Sequence, residues 1–120
     1  MSIPDFYRGD TKKYKLIVRN KESQEPISVD GGVLTVSMKK KEKDNIFLLQ
    51  EVVNAVEDNP NVPTGEILVT LSSEKTELLP TGPVFYDFEF VSSTGEVTTM
   101  LAGTVNIQYD ITTPPVPVVP

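Results

Sequence analysis

The chain has no cysteine, no histidine and no tryptophan among its 120 residues. Without cysteine there can be no disulfide, no thiolate metal site and no cysteine nucleophile, which fits a reducing cytoplasm or an assembly made there. Without histidine the commonest general base and the commonest metal ligand are missing, so Ser-His-Asp, Cys-His and histidine-zinc chemistry are all excluded. An enzyme built on this chain would have to work through carboxylates, lysine or tyrosine. Positive charge is also short: 11 Lys and Arg face 17 Asp and Glu, and the net charge of −6 opposes general binding to nucleic-acid backbones. No apolar run approaches the roughly 18 residues that suggest a membrane span. Residues 1–10 are polar and contain Pro4, so no signal peptide is expected there. The expectation is therefore a chain without cofactor or metal that engages neither nucleic acid nor membrane.

What the chain does have is β patterning, strongest between residues 65 and 111. Ile67, Val69 and Leu71 fall on one face of a period-two strand, with Leu68 and Thr70 on the other. Ser72 and Ser73 stop that strand, because their hydroxyls accept from backbone N–H groups two or three residues on and open a helical turn. Glu74 and Glu77 suit the positive end of the turn, Leu78 and Leu79 fold back onto the core, and Pro80, Gly82 and Pro83 end it. A second strand over residues 84–91 carries Tyr86, Phe88 and Phe90 on one face and Phe85, Asp87, Glu89 and Val91 on the other. Residues 92–96 form a hairpin turn around Gly95. Along the last strand Val97, Thr99, Leu101, Gly103, Val105, Ile107, Tyr109 and Ile111 share a face. Gly103 interrupts it, so a bulge or a close backbone approach is expected there.

The first half repeats this logic. Tyr14, Leu16 and Val18 alternate with Lys13, Lys15, Ile17 and Arg19, and residues 20–26 read as a polar loop. After the turn signal Val29-Asp30-Gly31-Gly32, Leu34, Val36 and Met38 alternate with Thr35, Ser37 and Lys39. Residues 46–53 fit either a strand or a short helix; β-branched content and the flanking turns favour strand to about Val53. Residues 57–64 read as loop.

About seven short strands with one helical turn near residues 73–79 describe an all-β fold, an immunoglobulin-like antiparallel β-sandwich. Three parts are expected: an N-terminal arm over residues 1–9, the sandwich over 10–112, and a proline-rich extension over 113–120. The extension suits extended, polyproline-like chain.

A family resemblance rests on three stretches: GDTKKYKLIVRN; a glycine turn with VLTVSMKKK; and GEILVTLSSEKTELLPTGPVFYDFEFVSSTGEVTTMLAGTVNIQYDIT. In their order these resemble the immunoglobulin-like module of phage virion proteins, best known as the N-terminal domain of the phage baseplate upper protein family. The resemblance spans roughly residues 9 to 112. It implies a non-enzymatic structural component of a phage tail, baseplate or head-tail region, made in the host cytoplasm, present in several copies and contacting other virion proteins and copies of itself.

Several clusters admit more than one reading. Lys39, Lys40, Lys41 and Lys43, with Lys12, Lys13 and Lys15, fit a basic patch for an acidic partner or, preferably, solvated strand ends that resist edge-to-edge pairing. Asp87 and Glu89 have the residue types of a glycosidase pair, but same-face carboxylates on a strand more often mark a solvent face. Asp58-Asn59-Pro60-Asn61 resembles a calcium loop in composition only, with Pro63 where such a loop needs glycine. Tyr86, Phe88 and Phe90 fit a sugar-binding stripe, yet with five Phe and four Tyr in the whole chain the core has first claim on them. The candidate partner-binding residues are Ile3, Phe6 and Tyr7 in the arm and Pro114, Pro115, Val116, Pro117, Val118 and Val119 in the extension. The extension has the spacing of a ligand for an SH3-like groove, but a tether along a neighbouring subunit is favoured. The alternative to a virion role is a carbohydrate-binding or host-surface adhesion module; a glycan is thus possible but not favoured as a partner.

Overall fold

The computed structural model describes residues 2–109. Seven strands and one short helix follow in chain order: β1 (Phe6–Tyr7), β2 (Lys12–Ile17), β3 (Val33–Lys39), β4 (Leu49–Asn54), β5 (Glu66–Leu71), α1 (Ser73–Glu77), β6 (Gly82–Val91) and β7 (Val97–Gln108). A curled five-stranded sheet has the order β1-β7-β6-β3-β4, and β2 pairs with β5 in a second sheet. The fold is all-β and sandwich-like, as the alternation predicts. Every pairing is antiparallel except β1 with β7, which is parallel and makes the larger sheet mixed.

The core lies between the sheets and consists of the side chains that alternate inward. Leu34, Val36 and Met38 come from β3, Val84, Tyr86, Phe88 and Phe90 from β6, and Ile67, Val69 and Leu71 from β5. Phe88 is its centre, met edge-on by Tyr14 at 5.4 Å and by Tyr86 at 5.9 Å between ring centroids. Such aromatic pairs add to the area they bury. Ser72 caps α1 by accepting from the Lys75 N–H, which is the role expected of it. Of the two leucines that follow, Leu79 is buried on the face it shares with Thr76 three residues earlier, but Leu78 falls off that face and points to solvent, contrary to expectation.

The last strand also departs from expectation. Phe88 pairs with Leu101 and Glu89 with Thr99, so Met100 is an extra residue on β7 and the bulge sits there rather than at Gly103. One extra residue inverts the alternation beyond it. Leu101, Gly103, Val105 and Ile107 keep the inward face, whereas Val97 and Thr99 turn outward with Val91 and Glu89. Gly103 is the close approach instead: a Cβ there would stand 3.1 Å from the Tyr86 hydroxyl.

Residues 2–9, expected as an arm, are docked on the domain. Ile3 and Phe6 are buried in the core, and the Ile3 N–H donates to the Tyr86 hydroxyl at 3.0 Å. Asp5 Oδ1 accepts from the Asn106 N–H, and Ser73 Oγ and Thr76 Oγ1 donate to the Gly9 and Asp10 carbonyls at 2.6 and 2.7 Å. The segment is held because its two large apolar side chains complete the core while its backbone extends a sheet edge.

Gly65 joins the two β-layers to the loop between them. Its φ is +68°, and a Cβ would lie 2.5 Å from the Val18 carbonyl oxygen, a backbone atom that cannot step aside. Gly65→Ala is therefore expected to cost roughly 2–4 kcal/mol, read as a lower urea midpoint with an unchanged m-value. Gly82→Ala, also at positive φ but facing open space, loses less.

Candidate interaction site

The 57–64 loop is organised by a carboxylate turned inward. Ala55 donates its N–H to the Gly32 carbonyl as β4 ends, and the Glu57 N–H donates to Asp30 Oδ1. That places the Glu57 side chain, only 6% exposed, beneath the loop. Its Oε1 accepts from the Thr64 N–H at 3.0 Å and the Thr64 hydroxyl at 2.9 Å, and its Oε2 from the Gly65 N–H at 2.9 Å and the Val29 N–H at 3.2 Å. The Thr64 N–H is the largest influence on its acidity, and the other three donors join it to outweigh burial. Together they hold the carboxyl down to about 2. The neighbouring Asp58-Asn59-Pro60-Asn61 stretch is a tight turn, in which Asn59 Oδ1 accepts from the Asn61 N–H. Among the described residues no three His, Cys, Asp or Glu side chains gather as metal ligands.

This clasp shapes a groove of about 640 Å³ between the end of β4, the loop and the start of β5. Val56, Val62 and Leu68 line it and are 74%, 69% and 68% exposed, with the buried Ile67 beside them. Three large aliphatic side chains facing water in one depression are a reason to look for a partner. Next to it, the free edge of β4 is guarded by α1: Lys75 Nζ pairs with the Glu51 carboxylate and donates to the Gln50 carbonyl at 3.2 Å.

A second groove, of about 660 Å³, lies on the outer face of the five-stranded sheet. Phe85, Asp87 and Glu89 of β6 stand between Ser37 and Thr35 of β3 and Ala102 and Thr104 of β7, with Phe47 and Gln50 on the β4 side. The two grooves share no residue. Comparison of the chain with protein-family models and with curated proteins finds no match.

The residues singled out in the sequence are distributed as follows. Ile3 and Phe6 are engaged within their own chain, and Tyr7 is 51% exposed beside them. Pro114, Pro115, Val116, Pro117, Val118 and Val119 lie outside the described residues. Tyr86, Phe88 and Phe90 belong to the core, as favoured. The lysines do not form one face through strand pairing, because β2 and β3 belong to different sheets. Lys15 pairs with Glu66 at 3.4 Å, Lys12 lies over the Phe6 ring and Lys39 over the Phe47 ring. Glu57 was not distinguishable in the sequence from the other acidic residues. Its donors stand 28 residues before it and 7 and 8 after it, and no local motif links them.

The clasp predicts a pH dependence. The Glu57 carboxyl titrates at its usual 4.5 when unfolded and near 2 when folded, so its stabilisation is complete above the first value and drains away as pH falls towards the second. Urea unfolding across pH should therefore show Glu57→Gln less stable than the parent at neutral pH, with the gap closing through that window. A gap that stays constant with pH contradicts the clasp.

Proposed function

We propose that this chain is a non-enzymatic structural component of a phage virion, in the tail, baseplate or head-tail region, and that it assembles through contacts with copies of itself and with other virion proteins. The placement in a virion rests on the family resemblance of residues 9 to 112. The absence of histidine and cysteine argues for a role without catalysis. The observation that carries assembly is the groove between β4 and β5, where Val56, Val62 and Leu68 present aliphatic surface to water. Burying such side chains contributes about 25 cal/mol for each Å² removed from water, and the Glu57 clasp holds the loop that carries Val62. Tyr7 and residues 114–119 are further contact candidates.

The test is mass in solution as a function of concentration, by sedimentation or native mass spectrometry. The parent chain should self-associate as concentration rises, and Leu68→Lys with Val62→Asp should return it to monomer. Both side chains are exposed, so the fold should change in stability by no more than about 0.5 kcal/mol each. A parent chain that stays monomeric at every concentration, or an association indifferent to both substitutions, overturns this reading of the groove.

A further inference from the structure

We propose that the groove on the outer face of the five-stranded sheet is a binding site for a neutral oligosaccharide, a role independent of the assembly surface. The chemistry of the lining carries the proposal. Phe85 is half-buried on the central strand and Phe47 is 45% exposed on the neighbouring loop, so two phenyl rings face the same depression although the core has claimed Tyr86, Phe88 and Phe90. A phenyl ring outside the core, at the wall of a groove, is a surface on which the C–H face of a sugar ring can lie.

Between and beside the rings stand hydrogen-bonding groups with capacity to spare. Asp87 and Glu89 lie two residues apart on one strand face, and their cross-strand neighbours are Ser37 and Ala102 for the first and Thr35 and Thr99 for the second. None of these can neutralise a carboxylate. Among the described residues neither carboxylate accepts a hydrogen bond or forms an ion pair, so both have their oxygens free for hydroxyl donors. Gln50 Nε2 donates to Ser37 Oγ at 3.2 Å, which orients the amide and leaves its carbonyl oxygen available as a further acceptor.

Charge selects among polyols. The lysine of the lining, Lys39, is drawn over the Phe47 ring with its Nζ 4.8 Å from the centroid, while Glu42 adds a third carboxylate to the lining. A phosphorylated, sulfated or sialylated ligand would meet this negative field unfavourably, whereas an uncharged sugar offers the donors that the acceptors lack. The volume of about 660 Å³ lies within the range of small-ligand sites and suits a short oligosaccharide. The groove is open along the sheet, so the interior of a longer glycan is also accommodated.

The experiment is a screen of the purified full chain against an array of neutral, sulfated and sialylated glycans, followed by amide-shift titration with the glycans bound. Neutral glycans should bind, with shifts confined to β3, β6, residues 102–104 of β7 and residues 42–50. Phe85→Ala should weaken binding about tenfold. Asp87→Asn with Glu89→Gln, which keeps shape and removes charge, should weaken neutral-glycan binding and relieve the bias against acidic glycans, whereas Leu68→Lys should change neither. The circular dichroism spectrum checks the fold of each variant, and the Asn/Gln variant carries the test if Phe85→Ala does not fold. Absence of binding to every neutral glycan, preference of the parent for acidic ones, or binding that survives both sets of substitutions overturns the proposal.

Discussion

The structure depends first on the buried carboxylate of Glu57. It takes donors from Val29, just before β3 of the larger sheet, and from Thr64 and Gly65, just before β5 of the smaller one. A negative charge removed from water is costly unless every oxygen is satisfied, and here four donors satisfy two oxygens. The same contacts bring Gly65 against Val18, whose N–H donates to the Gly65 carbonyl at 2.8 Å, so the pairing of β2 with β5 begins where the clasp ends.

The second constraint is a void that the N-terminal segment fills. Without Ile3 and Phe6 the core between β7 and the smaller sheet would be open, and with them the Tyr86 hydroxyl acquires a partner deep in the fold. The core in turn decides which surfaces remain for function. Having consumed Tyr86, Phe88 and Phe90, it leaves Phe85, Asp87 and Glu89 on the outer face of the same strand. Having aligned Ile67, Val69 and Leu71 inward, it leaves Leu68 in the groove beside the clasp. Strict alternation thus puts Phe85 and Leu68 on the reverse sides of core strands, where loop residues Phe47, Val56 and Val62 join them.

Where one face is mostly apolar and the other mostly polar, the strand is legible in the sequence. β3, β5 and β6 show this, and Ser72 before an acidic turn marked α1 in the same way. What escaped was non-local or depended on parity. Nothing in VTTMLAG announces that Met100 is the inserted residue, yet it reverses Val97 and Thr99. The docking of residues 2–9 follows from a vacancy in the core that no local pattern reveals, and Glu57 is chosen by donors distant in sequence. The three-aromatic stripe is the conspicuous one in the sequence and belongs to the core, whereas the lone Phe85 acquires meaning only when the fold sets Phe47 near it.

A frame clasped in this way can hold the groove beside β4 and β5, proposed for protein contact, and the groove on the outer sheet face, proposed for a glycan, without either distorting the other. That holds only if the two sheets behave as one cooperative unit through Glu57. Amide hydrogen exchange of the full chain, resolved at Val29, Thr64 and Gly65, measures this directly. The three amides should exchange only with global unfolding, at the same opening free energy as the amides of β3 and β6. Exchange at these three sites through local opening, while β3 and β6 remain protected, would contradict it.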